Sequence, residues 1–218
     1  MAEVKVLIEG HHTKNEDNRP KIGSTVTLIR GRSNILVDTG SFLDKDTLIS
    51  GLEKEGLTPD DIDAVIITHL DLDHIVNTYL FRDAKIFCKF RGGEYPGQTH
   101  FPSEGSLERT DLLKRDLIDE DIEIMLTPGH AEDMISVIVN TPEGKVVVAG
   151  DAFPSKEWMD PDRQPSPILT DVEKFNKSRK RILEVADYIV PGHGEMFKVR
   201  TAATSMAERK KYSMEEEL

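Results

Sequence analysis

The stretch Thr68-His69-Leu70-Asp71-Leu72-Asp73-His74 places two imidazoles and two carboxylates within six consecutive residues. These are side chains that bind Zn²⁺, Fe²⁺ or Mn²⁺ in proteins. Residues 62–67 before this His/Asp motif form a mostly apolar run typical of a buried strand, and residues 75–80 after it have the character of a short helix. The sequence therefore predicts a metal-binding cluster at the junction between a strand and a helix.

Four further apolar runs also end in an aspartate or a histidine. Residues 35–37 lead into Asp38, and residues 146–150 lead into Asp151. The other two runs end in Pro-Gly and then present His130 and His193. A single histidine is usually a core or surface residue, but five strands that deliver such side chains in the same way indicate one shared metal site.

Together these residues resemble the pattern of the metallo-β-lactamase superfamily. In that pattern an aspartate after a strand is followed by His-x-His-x-Asp-His, then by a distal histidine, a distal aspartate and a final histidine. Order and spacing agree from residue 38 to residue 193, and residues 146–199 most resemble the metallo-β-lactamase domain-containing protein 1 group. The resemblance implies a single domain over residues 1–218 with an α/β (α+β) fold, a four-layer αββα sandwich that holds its metals at the sheet edge.

The resemblance also implies how these side chains would share two divalent metal ions, with zinc as the first expectation and iron or manganese as alternatives. One ion would take His69, Asp71 and His130. The other would take Asp73, His74 and His193. Asp151 would bridge the two ions, and Asp38 would support the motif without binding metal. Asp73 and Asp151 are the expected catalytic residues, because the ions activate a water or hydroxide nucleophile that Asp73 could orient.

Asp71 departs from the family pattern, which has a second histidine at this position. A carboxylate here adds one negative charge, so that three carboxylates would face the four positive charges of two ions. A bound water should then be less acidic than in an all-imidazole site. Oxygen ligation also shifts the metal preference toward iron or manganese. The alternative is that Asp71 does not bind metal and instead hydrogen-bonds a residue that does.

Composition limits the other classes of protein. A net charge of −12 argues against broad nucleic-acid binding, which depends on basic residues that neutralise phosphates. The basic run at residues 177–181 is expected to be the solvated face of a helix. No stretch approaches the roughly 20 apolar residues of a membrane span. The first residues lack the apolar core of a secretory signal, so a cytoplasmic location is the default expectation. The single cysteine, Cys88, is expected in the core.

The remaining patterns give a coarse element map. Strands are expected at residues 4–9, 25–29, 34–37, 62–68, 85–90, 122–127, 135–139, 145–149, 188–190 and 196–199. Helices are expected at residues 47–54 and 171–186, with a helical turn at residues 58–61. Residues 10–21, 91–105 and 153–167 are expected to be loops. Within those loops His11, His12 and His100 are expected at the surface, whereas Phe153 and Trp158 could line the pocket.

The function that this reading favours is a metal-dependent hydrolase that cleaves a small ester, thioester, lactone or phosphodiester with a metal-activated hydroxide. A small molecule is the expected substrate. A nucleic-acid partner is not expected, although the sequence does not exclude one that binds a local basic patch. The sequence also leaves open whether the chain forms a homo-oligomer. Two other classes stay open. One is an iron-dependent oxidoreductase similar to flavodiiron proteins or persulfide dioxygenases, which the added carboxylate favours. The other is a non-catalytic metal-binding module.

Overall fold

A computed structural model describes residues 1–88, 121–168 and 170–199 of the chain. Within these ranges it contains twelve strands and three α-helices. The strands are β1 (Glu3–Ile8), β2 (His11–Lys14), β3 (Pro20–Gly23), β4 (Val26–Arg30), β5 (Asn34–Val37), β6 (Ala64–Ile66), β7 (Lys85–Phe87), β8 (Ile122–Leu126), β9 (Ile135–Thr141), β10 (Gly144–Gly150), β11 (Tyr188–Pro191) and β12 (Phe197–Lys198). The helices are α1 (Lys45–Lys54), α2 (Leu72–Ile75) and α3 (Val172–Val185), and short 3-10 helices lie at Pro59–Asp61, Val76–Leu80 and Lys156–Met159.

The strands form two five-stranded mixed sheets and one separate hairpin. The first sheet has the order β1-β4-β5-β6-β7, in which β5, β6 and β7 run parallel. The second has the order β12-β11-β10-β9-β8, in which β10 and β11 run parallel. Strands β2 and β3 pair with each other. Because parallel strands end at the same edge of a sheet, each sheet presents the residues that follow its central strands side by side.

The core consists of three buried apolar clusters, one between the two sheets and one on the outer face of each sheet. Apolar residues of both sheets, among them Val37, Ile66, Val137 and Val148, form one buried cluster between the sheets. The outer face of the first sheet packs with Leu48 and other residues of α1. The outer face of the second sheet packs with α3. The result is the four-layer αββα sandwich that the sequence predicts.

Capping residues stabilise one terminus of each long helix. In α3 the Asp171 side chain accepts a hydrogen bond from Lys174 N at 3.1 Å, which satisfies a free amide at the helix start. Helix α1 is followed by Gly56, which has a φ of +74° in the left-handed region that glycine tolerates. Pro59 begins the predicted turn, and a capping box joins Thr58 to the residue three positions later.

The predicted strands and helices agree with the structure apart from their ends, but two predicted loops contain further elements, one of which is the 3-10 helix Lys156–Met159 in the segment 153–167. The predicted strands at residues 62–68 and 145–149 are β6 and β10, and Cys88 is buried as expected. Residues 89–90, the predicted loop at residues 91–105 and His100 lie outside the described residues. The polar segment at residues 10–21 was predicted to be a loop, but most of it belongs to the β2–β3 hairpin. Its alternation is hard to recognise because both strands are largely exposed and polar.

The prediction that the basic run of α3 is its solvated face holds for Lys177, Lys180 and Arg181, which are exposed, but not for Arg179, which is 6% exposed. Its guanidinium donates hydrogen bonds to the backbone carbonyls of Asp160, Pro161 and Arg163 at 3.0–3.3 Å. Those carbonyls belong to the loop that follows β10, so Arg179 anchors that loop to the helix. In the described part of the chain no helix is long and apolar enough to cross a membrane.

Candidate metal centre

Both sheets contribute side chains to one cluster at the ends of their central strands. Asp38 follows β5, and the His/Asp motif follows β6. Asp151 follows β10, and His193 comes two residues after β11. His130 lies on the turn between β8 and β9. The structure therefore brings together all eight residues that the sequence predicts for the site.

The ligand-type atoms fall into three groups, within each of which they lie no more than 4.8 Å apart. One group is His69, Asp71 and His130. A second is Asp73, His74 and His193. The third is His69, His74 and Asp151. The first two are the ligand sets that the resemblance implies, and the third places Asp151 between them.

The distances show how Asp71 and Asp151 connect the imidazoles. Asp71 Oδ2 lies 3.1 Å from His130 Nε2 and 3.5 Å from His69 Nε2. Asp151 Oδ1 lies 3.2 Å from His193 Nε2 and 3.6 Å from His74 Nε2, whereas its Oδ2 lies 3.7 Å from His130 Nε2. Asp151 therefore faces histidines of both ligand sets, which is the position that a bridging ligand requires.

Four buried polar atoms of the cluster have no hydrogen-bond partner among the described residues. They are His69 Nε2, His74 Nε2, Asp73 Oδ2 and Asp151 Oδ1. Leaving a buried polar atom unpaired costs about 1–3 kcal/mol, so a native protein rarely leaves several together. All four atoms are of types that bind transition metals. The residues present therefore fit a centre of divalent cations.

Three of the imidazoles are oriented by hydrogen bonds that their Nδ1 atoms donate. His74 Nδ1 lies 2.7 Å from Asp38 Oδ2, and His193 Nδ1 lies 3.0 Å from the carbonyl oxygen of Gly23. Thr68 Oγ1 donates to Asp38 Oδ2 at 2.8 Å, so it can only accept from His69 Nδ1 at 3.0 Å. Each ring therefore carries a proton on Nδ1 and directs Nε2 into the site, as metal-binding histidines do.

The charges of the cluster shift its pKa values in opposite directions. Burial alone would lower the pKa of His74, but the carboxylates of Asp38 and Asp151 outweigh it and raise the pKa. Burial would raise the pKa of Asp151, but His193 and His74 lower it well below its usual range. Hydrogen bonds from His130 and then His69 lower the pKa of Asp71. In the metal-free chain the neighbouring carboxylates therefore favour the protonated form of His74, and the histidines favour the ionised forms of Asp71 and Asp151.

Backbone geometry at the site depends on two unusual positions. Asp38 has a φ of +59°, a left-handed conformation that aspartate tolerates better than most residues. A Cβ on Gly192 would lie 1.9 Å from Asp151 Oδ1, so no larger residue fits there while that carboxylate stays in place. The glycine that precedes His193 is therefore a packing requirement of the site.

Two expectations about the surroundings of the site are resolved. Phe153 does not line a pocket: it is fully buried in the core under the second sheet, 5.8 Å from the Phe197 ring. Trp158 packs at 5.0 Å against the Phe175 ring of α3. His12 is exposed as predicted, and its ring centroid lies 5.9 Å from that of His193. The sequence did not reveal residues 23–25, which contact both ligand loops, because no local pattern indicates bonds that span 49 to 170 residues.

Fold and site together define an αββα protein with a His/Asp metal centre, and the comparisons with known proteins agree. The model of the metallo-beta-lactamase superfamily matches residues 19–193. Metallo-beta-lactamase domain-containing protein 1 of Xenopus laevis is 36% identical over 204 residues, which cover 90% of this chain and 81% of the relative. The chain belongs to the metallo-beta-lactamase superfamily.

Two further comparisons bear on the class of enzyme. A protein of Methanocaldococcus jannaschii that bears the name "Probable metallo-hydrolase" is 33% identical over 159 residues, which cover 73% of this chain and 70% of the relative. Among solved structures, a dizinc quorum-quenching lactonase superposes with a TM-score of 0.57 at 17% identity, over 81% of this chain and 74% of the lactonase. That likeness shows the fold alone. The family and the metallo-hydrolase relative support a metallo-hydrolase.

Proposed function

We propose that the protein is a metal-dependent hydrolase with two divalent ions. One ion would be held by His69, Asp71 and His130. The other would be held by Asp73, His74 and His193. Asp151 would bridge them, and Asp38 would orient His74 from outside. The observation that carries the proposal is the convergence of four buried, unpartnered nitrogen and carboxylate oxygen atoms on one place.

The ions, when bound, would lower the pKa of a water molecule and polarise the oxygen of the scissile group. The chain prepares this chemistry by fixing its ligands before any substrate arrives. Asp38 and the carbonyl of Gly23 hold the His74 and His193 rings with Nε2 directed inward. Asp73 Oδ2 is buried without a partner, so it is free to bind an ion or to orient the nucleophile. We assign Asp73 and Asp151 as catalytic residues on this basis.

The contacts of Asp71 support direct ligation. Its Oδ2 approaches Nε2 of both His69 and His130, so it lies within reach of an ion that those two histidines would hold. An oxygen ligand favours iron or manganese more than imidazole does. Zinc remains our first assignment, because the other imidazoles and carboxylates suit it. Iron at this centre would support the second candidate function, an oxidoreductase, and the carboxylate of Asp71 is the observation that favours it.

We propose a small ester, thioester, lactone or phosphodiester as the substrate. We also propose that the chain is a single domain, which contains the whole site. The net charge of −12 favours a small molecule over a nucleic acid, whose phosphates the protein would repel. The Methanocaldococcus relative is named a metallo-hydrolase and the structural neighbour is named a lactonase. The first name supports hydrolysis in general, and the second supports the inclusion of lactones among the proposed substrates.

The first test is elemental analysis of protein purified without chelators, followed by a hydrolysis screen. The screen would use 4-nitrophenyl acetate, an acyl thioester, an acyl homoserine lactone and bis(4-nitrophenyl) phosphate. Asp151→Asn and His130→Ala should lose metal and activity together, whereas Asp46→Asn, an exposed change on α1, should lose neither. Hydrolysis that is unchanged in both site variants would refute the proposal. Full metal content in Asp71→Ala would refute ligation by Asp71.

The same analysis separates the second candidate. Two zinc ions per chain would support the hydrolase. Two iron ions per chain, with visible absorption and oxygen consumption, would support the oxidoreductase instead. Metal that is bound in full with no activity in either assay would support the non-catalytic module.

A further inference from the structure

Residues 23–25, between β3 and β4, form a short buried connection that contacts both ligand loops. Ser24 is fully buried and Thr25 is 4% exposed. The connection belongs to neither loop in sequence, because it lies 49 residues before Asp73 and about 170 residues before His193. Its contacts are therefore tertiary and act between the two halves of the site.

Toward the first half, the connection makes one side-chain hydrogen bond. Ser24 Oγ donates to the backbone carbonyl oxygen of Asp73 at 2.6 Å. Asp73 is the second residue of α2, a helix of four residues that offers little rigidity of its own. Its side chain presents the buried, unpartnered Oδ2 to the site. A bond to its carbonyl therefore restrains the backbone from which that carboxylate projects.

Toward the second half, the connection makes three hydrogen bonds. The Gly23 carbonyl accepts from His193 Nδ1 at 3.0 Å. Thr25 N donates to the Gly192 carbonyl at 2.7 Å, and Thr25 Oγ1 donates to the Gly194 carbonyl at 3.4 Å. The backbone of the connection and the loop around His193 are thus held together on both sides of the histidine.

We propose that Ser24 is a positioning residue for the ion held by Asp73, His74 and His193. The proposal rests on the proposed function. The bonds of Gly23 and Thr25 tie the connection to His193, and the Ser24 hydroxyl ties the same connection to Asp73. Ser24 thereby sets the separation between two ligands from opposite halves, whose Asp73 Oδ2 and His193 Nε2 lie 3.9 Å apart.

Removing the hydroxyl should act on one ion more than on the other. Ser24→Ala frees the carbonyl of Asp73 but leaves His69, Asp71 and His130 untouched. Loss of a residue that orients a metal ligand typically weakens metal binding by about 10- to 100-fold. We therefore expect the dissociation constant of one zinc ion to rise about that much, with little change for the other ion.

A matched control lies three residues further along the chain. Thr27 is fully buried, and its hydroxyl has no hydrogen-bond partner among the described residues. Thr27→Val therefore removes a buried hydroxyl from the same region without breaking a described hydrogen bond. Ser24→Thr and Ser24→Val form a second pair, because they have similar volume and differ by one hydroxyl.

The experiment measures zinc binding by competition with a chromophoric chelator, and the visible spectrum of the Co²⁺-loaded full chain. Ser24→Ala should weaken one zinc ion and alter part of the Co²⁺ spectrum, while Thr27→Val matches the wild type. Ser24→Thr should bind zinc more tightly than Ser24→Val. If Ser24→Ala does not fold, the comparison of these two variants tests the proposal in its place. Three results would each overturn the proposal. The first is a Ser24→Ala variant that binds zinc as tightly as the wild type, and the second is a Thr27→Val variant that loses as much zinc affinity as Ser24→Ala. The third is the same zinc affinity in Ser24→Thr and Ser24→Val. A wild-type chain that binds no zinc, or a His193→Ala variant that binds it normally, would instead refute the proposed function.

Discussion

Replacing Asp38 by asparagine should disable the site without changing its shape. The Asp38 carboxylate accepts hydrogen bonds from Thr68 N and Thr68 Oγ1, each at 2.8 Å, and from His74 Nδ1 at 2.7 Å. Asparagine has the same size, and it also tolerates the left-handed backbone at this position. What changes is that one carboxylate oxygen becomes an NH₂ group, which can only donate.

Neither orientation of the new amide restores the hydrogen bonds. If its nitrogen faces His74, two donors meet unless the His74 proton moves to Nε2, the nitrogen that faces the site. If its nitrogen faces Thr68 N, two donors meet at the backbone. Loss of one hydrogen bond to a charged group should destabilise the metal-free protein by about 1.5–3 kcal/mol. The wrong tautomer should weaken metal binding about 10- to 100-fold, which is about 1.4–2.8 kcal/mol.

The assay combines urea unfolding of the metal-free protein with zinc titration of wild type and variant. Asp61→Asn is the matched control, because Asp61 also accepts hydrogen bonds from the amide and hydroxyl of one threonine, Thr58, at 2.7–2.8 Å. Asp61 is exposed and lies before β6, whereas the His/Asp motif follows that strand, so this variant should keep wild-type zinc affinity. If Asp38→Asn binds both ions as tightly as the wild type, the argument that Asp38 sets the His74 tautomer is wrong.

Three further predictions concern packing, anchoring and pH. Gly192→Ala should lose metal in elemental analysis, because its Cβ would displace the Asp151 carboxylate. Arg179→Ala should destabilise the protein in urea by about 1.5–3 kcal/mol, since three backbone carbonyls of one loop lose a charged donor. The exposed Lys177→Ala should change stability by less than about 0.5 kcal/mol. The metal-free protein should lose stability as pH rises above about 6.5, because the raised folded-state pKa of His74 stabilises the fold when the imidazole is protonated. Zinc affinity should rise over the same range, because ligation needs the neutral ring, and melting curves at several pH values with and without zinc would test both trends.

The parts of the fold that the sequence predicted are those with local signals. The apolar runs at β5, β6, β10 and β11 are buried on both faces, so their composition alone indicates strands. Helical spacing, together with Gly56 after α1, predicted the bounds of α1 and α3 within two residues. The same local logic placed Asp38, His130, Asp151 and His193 at strand ends, and the resemblance then grouped them.

The parts that the sequence did not predict depend on contacts between distant residues. In the sequence, Arg179 has the pattern of a solvated basic residue. It is buried because a loop 16–19 residues earlier in the chain supplies three carbonyls that accept hydrogen bonds from its guanidinium. The β2–β3 hairpin is polar on both faces, so no apolar alternation marks it. Ser24 has no sequence signal at all, because its role depends on the backbone carbonyl of Asp73 rather than on a side-chain type.

The departure from the family pattern falls where the site is most open. The His74, His193 and Asp151 side chains are 0%, 5% and 10% exposed, whereas Asp71 is 57% exposed and His130 is 27% exposed. A carboxylate that replaces an imidazole costs most in desolvation when it is buried. At position 71 the added charge keeps part of its hydration, while one oxygen still reaches the histidines on both sides. Position 71 of the proposed site can therefore hold a carboxylate at a low desolvation cost, whereas His74 and His193, which Asp38 and Gly23 hold in place, are buried.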